Sequence, residues 1–387
     1  MKRVLFVDDD ANVRDGLKRM LRPFRHEWEM EFAASGQAAL EILSRGTFDV
    51  IVTDMRMPGI NGAELLAEVA RCHPHMVRIV LSGNEDQDLR MKAAVTAHQY
   101  LSKPCHGAGL RSMVNRAFAL RERLAQPELS EVITQVVGLP SAPAAYDALV
   151  RAVGWPVATV EDLGVIVTKD MAMTARVLQL VNSAFFGYGR RIANPGEAVA
   201  YLGAESMSTL ALSGPVFSAY TSRGGSRFSI EALQEHANAV ARMAVQIAKS
   251  QNCSKQMLDD TLVAALLHDI GKLVLAAEFP REYDELLAAA PETLDEQREA
   301  ERSAFGTTHS EIGAYLLWLW GLPDAVVEAV AFHHEPASAP PGGFCPLTAV
   351  HIADAEELGS PMDLQYLAEL GIAGLPRASS TTEPGPG

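Results

Sequence analysis

The sequence predicts two structural units, an N-terminal α/β domain built on a parallel sheet and a C-terminal region that is helical almost throughout. Short runs rich in Val, Ile and Leu, each bounded by polar or turn residues, predict the strands, because a strand buried on both faces of a parallel sheet is apolar along its length. From Leu129 onward, strand-type alternation is absent and alanine and leucine dominate, which predicts helices. The predicted strands are Val4–Val7, Asp49–Thr53, Ile79–Ser82 and Tyr100–Ser102.

Polar side chains cluster where each predicted strand ends. Asp8 and Asp9 follow the first strand, Asp54 the second and Lys103 the last, while Ser82 closes the third. In open parallel sheets, functional groups collect at these carboxyl ends. Three carboxylates that lie close together repel one another unless a cation joins them, and a hard divalent ion such as Mg²⁺ prefers oxygen ligands. One carboxylate can then act as a nucleophile and accept a phosphoryl group, whose charge the metal, the lysine and the hydroxyl would neutralise.

This ordered set resembles the receiver domain of two-component response regulators, and the resemblance covers residues 1–122. It implies a doubly wound fold with a five-stranded parallel sheet, and a sensor histidine kinase as the phosphodonor. By matching positions of the Val-Thr-Asp-Met-Arg-Met-Pro-Gly segment and its partners, it implies Asp54 as the phosphoacceptor, Asp8, Asp9, Asp54 and the Arg56 backbone carbonyl as Mg²⁺ ligands, Ser82 and Tyr100 as switch residues, and Lys103 as the lysine before a cis-proline, Pro104.

Length and composition limit the remaining classes of function. A chain of 387 residues suggests two or three domains. Its formal charge of −15 predicts repulsion from nucleic acid, and no basic patch offsets it. Four scattered cysteines without CxxC pairing favour reduced thiols and a cytoplasmic location. The N-terminus does not read as a signal peptide, and no apolar run approaches the roughly 20 residues of a membrane span.

The helical region carries a second resemblance. The segment Leu178–Gly187, with its Leu-x-x-x-Asn-Ser-Ala-x-Phe pattern, is similar to the HDOD domain, an all-helical output module related to HD phosphohydrolases. Asn182 is an amide among apolar neighbours, so it needs hydrogen-bond partners and is expected to pin a loop. The family commonly has Asp-Pro where this chain has Asp170-Met171, a change with little expected effect on the helix start. The predicted domains are the receiver at 1–122, a linker helix at 123–138, the HDOD domain at 139–357 with an HD-like part at about 230–357, and a disordered tail at 376–387.

Histidines and aspartates recur at the predicted helix ends of the HD-like part. Imidazoles and carboxylates are the usual ligands of Fe, Mn or Zn, and adjacent His-Asp and His-His pairs can serve two metals that share a bridging carboxylate. His351 is left out of this set, and His98 and the other receiver histidines are interpreted as surface residues. The candidate ligands of a dinuclear Fe or Mn site are His236, His268, Asp269, His309, His333, His334 and Asp354.

The same seven positions match the ligand pattern of HD-domain phosphohydrolases, and they most resemble the HD-GYP branch that hydrolyses cyclic di-GMP. The resemblance implies that Lys272 contacts phosphate. The Gly-Tyr-Pro segment expected after His333-His334-Glu335 is replaced by the Pro/Gly-rich loop Pro336–Pro346.

Two functions stay open at this point, and the missing segment and the HDOD signature favour the first. In the first, phosphorylation of Asp54 switches an HDOD module that acts by binding an unknown downstream protein or by forming a homodimer. In the second, the receiver gates a metal-dependent phosphohydrolase that acts on a cyclic dinucleotide or a nucleotide.

Overall fold

The structure is a computed structural model of the chain. It describes residues 2–82, 96–103, 139–153, 159–182, 192–212, 218–220, 226–289 and 293–372, with the isolated positions 110, 111, 114, 115, 118, 133 and 136. The segment 183–191 of the HDOD signature, Pro104, most of the predicted linker helix and the predicted disordered tail lie outside these residues.

The N-terminal unit is a doubly wound α/β domain, as predicted. Its five strands are all parallel and lie in the order β2-β1-β3-β4-β5. Because the order reverses beside β1, the carboxyl ends of β1 and β3 line the crevice where ligands bind in such sheets. The elements are β1 (Lys2–Val7), α1 (Ala11–Leu21), β2 (Trp28–Ala33), α2 (Gly36–Leu43), β3 (Val50–Asp54), α3 (Gly62–Cys72), β4 (Val77–Ser82) and β5 (Gln99–Ser102).

Among the described residues of the C-terminal unit, the regular structure is helical apart from two short strands, β6 (Pro140–Ser141) and β7 (Ser218–Ala219), which pair with each other. The chain kinks inside α7 at Gly203, whose φ of 78° is open to glycine at no steric cost. The helices are α4 (Pro143–Val153), α5 (Val160–Thr168), α6 (Met171–Asn182), α7 (Pro195–Leu212), α8 (Ile230–Ser250), α9 (Lys255–Leu267), α10 (Ile270–Glu278), α11 (Pro280–Ala288), α12 (Leu294–Phe305), α13 (His309–Leu319), α14 (Asp324–Phe332), α15 (Pro346–Leu358) and α16 (Leu364–Glu369).

Local sequence signals set several of these helix boundaries. Thr159 caps α5 in a reciprocal capping box with Asp162. Asp170 caps α6 by accepting from the Met173 N–H, so the family's proline is not needed to start this helix. Asn182 donates to the carbonyl oxygen of Ile192 at 2.6 Å and accepts from the Ile192 N–H at 2.7 Å. The expected role of Asn182 as a pin for the following segment is thus observed.

Close packing between the starts of α10 and α13 determines where Asp269 and His309 lie. A Cβ atom added to Gly271 would lie 1.9 Å from the carbonyl oxygen of His309, far inside van der Waals contact. Only glycine therefore allows the start of α10 to reach the start of α13. Asp269 directly precedes α10 and His309 is the first residue of α13, so this contact brings the two side chains together.

The last two receiver strands contact the C-terminal half of α13. Nε2 of Gln99 donates to the carbonyl oxygen of Trp318 at 3.5 Å. Arg78, at the start of β4, is buried, and burial lowers its pKa to about 10 although Tyr315 of α13 partly offsets this effect. His98 is also buried and its ring lies 2.7 Å from the Arg78 guanidinium, so its interpretation as a surface residue was wrong.

Within the described ranges, no helix combines the length and the apolar character that crossing a membrane requires.

Candidate phosphorylation site and metal centre

Two buried carboxylates and a lysine meet at the carboxyl edge of the receiver sheet. The Lys103 ammonium pairs with Oδ2 of Asp8 at 2.7 Å and with Oδ1 of Asp54. The other oxygen of Asp54 accepts from the Arg56 N–H at 3.0 Å. Burial raises the pKa of Asp54, and Lys103 opposes this rise. Asp54 is therefore held at the end of β3 by two donors, with a cation ready to balance added negative charge.

The structure describes the other predicted receiver residues only in part. Asp9 is exposed and follows Asp8 in the chain, and the Arg56 backbone lies two residues after Asp54. The backbones of Ser82 and Tyr100 fall in β4 and β5, but their side chains lie outside the described residues. The carboxylate oxygens of Asp8 and Asp54 are ligands of the kind that Mg²⁺ prefers. Both carboxylates contact the Lys103 ammonium, so a cation is already favoured at this position.

All seven predicted ligands of the helical unit converge. They form two groups, and within each group the candidate ligand atoms all lie within 4.8 Å of one another. The first group is Asp269, His309, His333 and His334, and the second is His236, His268 and Asp354.

Asp269 lies between the two groups and presents one carboxylate oxygen to each. Its Oδ1 is 3.3 Å from Nε2 of His309 and 3.8 Å from Nε2 of His333. Its Oδ2 is 3.6 Å from Nε2 of His236 and 3.5 Å from Nε2 of His268. A carboxylate with one oxygen toward each of two ligand sets is what a bridging ligand requires.

Asp354 makes a second connection between the groups. Its Oδ1 lies 3.1 Å from Nε2 of His236, and its Oδ2 lies 3.7 Å from Nδ1 of His334. The residue is buried on α15, and burial opposes its ionised form. The histidines outweigh burial and hold the pKa of Asp354 well below its usual value.

The histidine rings are oriented by acceptors on their outer side. Nδ1 of His268 lies 2.7 Å from the Ala265 carbonyl oxygen, and Nδ1 of His333 lies 2.9 Å from the carbonyl oxygen of Val330. Such acceptors keep the proton on Nδ1, which leaves the Nε2 lone pair facing the centre.

Two glutamates outside the predicted set do the same for other ligands. Oε2 of Glu301 lies 2.8 Å from Nδ1 of His309 and also accepts from the His309 N–H, and Oε2 of Glu357 lies 2.5 Å from Nδ1 of His236. Glu301 is fully buried. Sequence analysis gave neither carboxylate a role, and the one available signal was the position of Glu301 eight residues before a candidate ligand.

The donor set fits a pair of cations. Oδ1 of Asp269 and Nε2 of His333 are buried and have no hydrogen-bond partner among the described residues. Burial, with the neighbouring His268, lowers the pKa of His333 to about 3, so its imidazole is neutral. Burial opposes ionisation of Asp269, but Lys272 and the histidines outweigh it and hold its pKa well below the usual range. A neutral imidazole beside ionised carboxylates, as His333 is beside Asp269 and Asp354, has the protonation state that metal ligation needs.

An open cleft of about 670 Å³ leads to this centre. His333, His334 and Asp354 form part of its wall, and the loop around Asp363 forms another part. The Lys272 ammonium lies 2.7 Å from Oδ2 of Asp269. His351 is outside the ligand groups, because its Nδ1 contacts the carbonyl oxygen of His333 and its Nε2 accepts from the Asp363 N–H.

Comparison with known families assigns both units. The model of the HDOD domain matches residues 139–336, and that of the response regulator receiver domain matches residues 4–115. The chain belongs to the HDOD family and is a receiver–HDOD response regulator. Receiver domains generally bind Mg²⁺.

The matches to individual relatives cover only part of each protein. An uncharacterised protein of Treponema pallidum (strain Nichols) is 26% identical over 211 residues, 54% of this chain and 40% of that protein. The hydrogenase transcriptional regulatory protein HoxA of Cupriavidus necator is 31% identical over 168 residues, 40% of this chain and 34% of HoxA. The regulator thus spans well under half the length of these relatives. The crystal structure of the MmoQ response regulator from Methylococcus capsulatus str. Bath, 24% identical, covers 62% of this chain and 94% of its own with a TM-score of 0.51, which supports the fold.

Proposed function

We propose that this response regulator is a phosphorylation-controlled, metal-dependent phosphoester hydrolase. A sensor histidine kinase phosphorylates Asp54, and the receiver thereby controls a dinuclear Fe or Mn centre in the HDOD domain. The observation that carries the proposal is Asp269, which presents one carboxylate oxygen to each of two histidine groups.

The receiver half of the proposal rests on charge. Asp54 is the nucleophile, and its Oδ1 pairs with Lys103. A phosphoryl group on Asp54 adds about one to two negative charges, which compete with Asp8 for the Lys103 ammonium. Lys103 follows β5 directly, so a shift of its side chain would also displace that strand. Ser82 and Tyr100 are proposed to rearrange with it as the switch residues.

The HDOD half rests on the ligand set. Two bound metal ions would supply Lewis-acid polarisation of a phosphoester and activation of water at neutral pH. His309, His333 and His334 would hold one ion, His236, His268 and Asp354 the other, and Asp269 both. Lys272 is placed to balance charge on a phosphate oxygen beside Asp269. Glu301 holds His309 in the ligating orientation.

Helix α13 offers a route between the two halves. Its carboxyl end contacts β5 through Gln99 and Trp318, and its first residue is the ligand His309. A rigid helix transmits a displacement at one end to the other, so a shift of β5 would move His309 relative to Asp269. Phosphorylation would in this way change the geometry of the ligand set.

A phosphorylation-switched adaptor is the second candidate. Lys272 already offsets the charge of Asp269, and although burial opposes it, Asp354 and Asp269 raise the pKa of His236 to about 9. The negative charge of the cluster can therefore be balanced by protons and by Lys272, as expected for a cluster with a purely structural role. In that case the HDOD domain would act through a downstream protein or a homodimer, and the replaced Gly-Tyr-Pro segment favours this reading.

The test is hydrolysis of bis(p-nitrophenyl) phosphate by the full chain supplied with Mn²⁺, with and without acetyl phosphate. We expect turnover that changes with acetyl phosphate in the parent, turnover without that response in Asp54→Asn, and none in Asp269→Ala. Equal rates for the parent and Asp269→Ala, with Mn²⁺ bound to the parent, would reject the hydrolase and leave the adaptor.

A further inference from the structure

A second cavity adjoins the metal centre on the far side of His334. It encloses about 550 Å³ between the end of α12, the first turns of α13 and the end of α14. His334 lines both this cavity and the cleft over the centre, and its Nε2 lies 3.1 Å from Nε2 of the ligand His309. A molecule in the cavity would therefore be a direct neighbour of a group bound at the centre. This volume is within the range of about 300–1,000 Å³ that small-ligand sites occupy.

Two buried polar atoms of the cavity lining lack partners. Ser310 is 4% exposed, lines the cavity, and its Oγ has no hydrogen-bond partner among the described residues. The same is true of Nε of Arg298, a second lining residue. An unsatisfied buried polar group destabilises the fold, and a ligand that supplies the missing partners removes this penalty. The pair therefore points to a bound molecule with hydrogen-bonding atoms on one edge.

The charge of the lining favours a neutral group over a second phosphate. Arg298 pairs with Glu335 at 2.5 Å, and Arg302 pairs with Glu311 at 3.3 Å. Each arginine of the lining is thus matched by a carboxylate of the lining. A bare phosphate would have to displace these carboxylates, whereas a neutral ring would not.

The remaining lining suits a flat ring. Its apolar members come from three elements and include Ala314, Ala331, Ala339 and Pro340. A purine has apolar faces, the acceptor N7 and, next to it, an oxygen acceptor in guanine or an amino donor in adenine. The Arg298 N–H can donate to N7. A serine hydroxyl both donates and accepts, so Ser310 can pair with either neighbouring group.

We propose that this cavity receives the purine base of a nucleotide whose phosphate group reaches the metal centre. The inference rests on the proposed hydrolase for the phosphate and on Ser310 and Arg298 for the base. It names the substrate class as purine nucleotides, with the base and the phosphate on opposite sides of His334.

The test is calorimetric titration of the full, Mn²⁺-supplied chain with guanosine 5′-monophosphate, adenosine 5′-monophosphate and ribose 5-phosphate. We expect at least one of the two nucleotides to bind about tenfold tighter than ribose 5-phosphate, since hydrogen bonds to a base edge discriminate between ligands with and without that base. Ser310→Ala and Arg298→Met should each remove most of this preference. The matched control Arg242→Met, on the exposed face of α8, should keep it.

Equal affinity for ribose 5-phosphate and both nucleotides would overturn the base site, as would an undiminished preference in both variants. Guanosine and adenosine without phosphate separate this failure from failure of the hydrolase. Nucleoside binding that Ser310→Ala weakens supports the base site even if ribose 5-phosphate does not bind. Ribose 5-phosphate binding that Asp269→Ala abolishes supports the metal centre even if the base preference is absent.

Discussion

Gln99, on the last strand of the receiver sheet, donates a hydrogen bond from its Nε2 to the carbonyl oxygen of Trp318, 3.5 Å away in the HDOD domain. Lys103, which pairs with the proposed phosphoacceptor Asp54, lies four residues further along the chain from Gln99. Trp318 lies in the helix whose first residue is the candidate metal ligand His309. One strand and one helix therefore separate the proposed phosphorylation site from the candidate metal centre.

This contact predicts that Gln99→Ala uncouples the two domains. The variant should still accept phosphate at Asp54, and its hydrolysis of bis(p-nitrophenyl) phosphate should no longer change with acetyl phosphate. The matched control Gln37→Ala, on the exposed face of α2, should keep the response. A parent-like response in Gln99→Ala would show that coupling does not depend on this contact.

Phosphorylation is predicted to depend on Asp54 and Lys103. Asp54→Asn removes the nucleophile, so label from radioactive acetyl phosphate should fall to background. Lys103→Ala removes the cation between Asp54 and Asp8, and leaves two buried carboxylates side by side. We expect its labelling to fall by about two orders of magnitude or more, since removing one charge-stabilising donor costs about 10²–10³ in rate. Undiminished labelling of Asp54→Asn would contradict the receiver assignment.

Gly271 is predicted to be irreplaceable for both folding and ligation. Gly271→Ala would place a methyl group 1.9 Å from the His309 carbonyl oxygen, so α10 and α13 must separate. Overpacking of this kind costs about 1–3 kcal/mol of unfolding free energy, and the separation would move His309 away from Asp269. Gly16→Ala is the control, because its added Cβ meets nothing within 4 Å. Urea unfolding and metal content measure the two effects, and unchanged values in Gly271→Ala would contradict this close contact.

Glu301 is predicted to support metal affinity without being a ligand. Glu301→Gln keeps the size of the side chain but removes the charge that orients His309. Loss of such an outer partner typically costs about 10–100-fold in metal affinity. Competition with a coloured chelator would measure the change. Glu299→Gln, on the exposed face of the same helix, should bind metal as the parent does, and equal affinities for the two variants would argue against the role of Glu301.

Sequence analysis predicted the parts of the fold whose signal is local. β1 and β3 could be predicted because Val4–Val7 of β1 and Val50–Val52 of β3 are buried and form continuous apolar runs. β2 gave no such run: it is an edge strand in which Glu29 and Glu31 alternate with apolar residues, and its place was implied only by the family resemblance. Helix starts at Thr159 and His309 carry capping signals that need no tertiary information.

The site divides in the same way. The candidate ligands could be named because His268-Asp269 and His333-His334 are adjacent pairs, which are rare and chemically specific, and the structure brings them together. Their binding of metal stays a prediction. Glu301, Glu357 and the buried His98 could not, because a single glutamate or histidine acquires its role from a partner brought close by folding. The contact between Gln99 and Trp318 joins residues 219 positions apart, and no local pattern encodes it.

We propose that the HDOD domain holds two metal ions on a bridging Asp269. The iron and manganese content of the full chain, purified without chelators and without air, tests this proposal, with Asp269→Ala and His268→Ala prepared in parallel. We predict about two equivalents per parent chain and a large loss in both variants, as a dinuclear site requires. A folded parent chain with no iron or manganese, which also takes up none on titration, would contradict the claim.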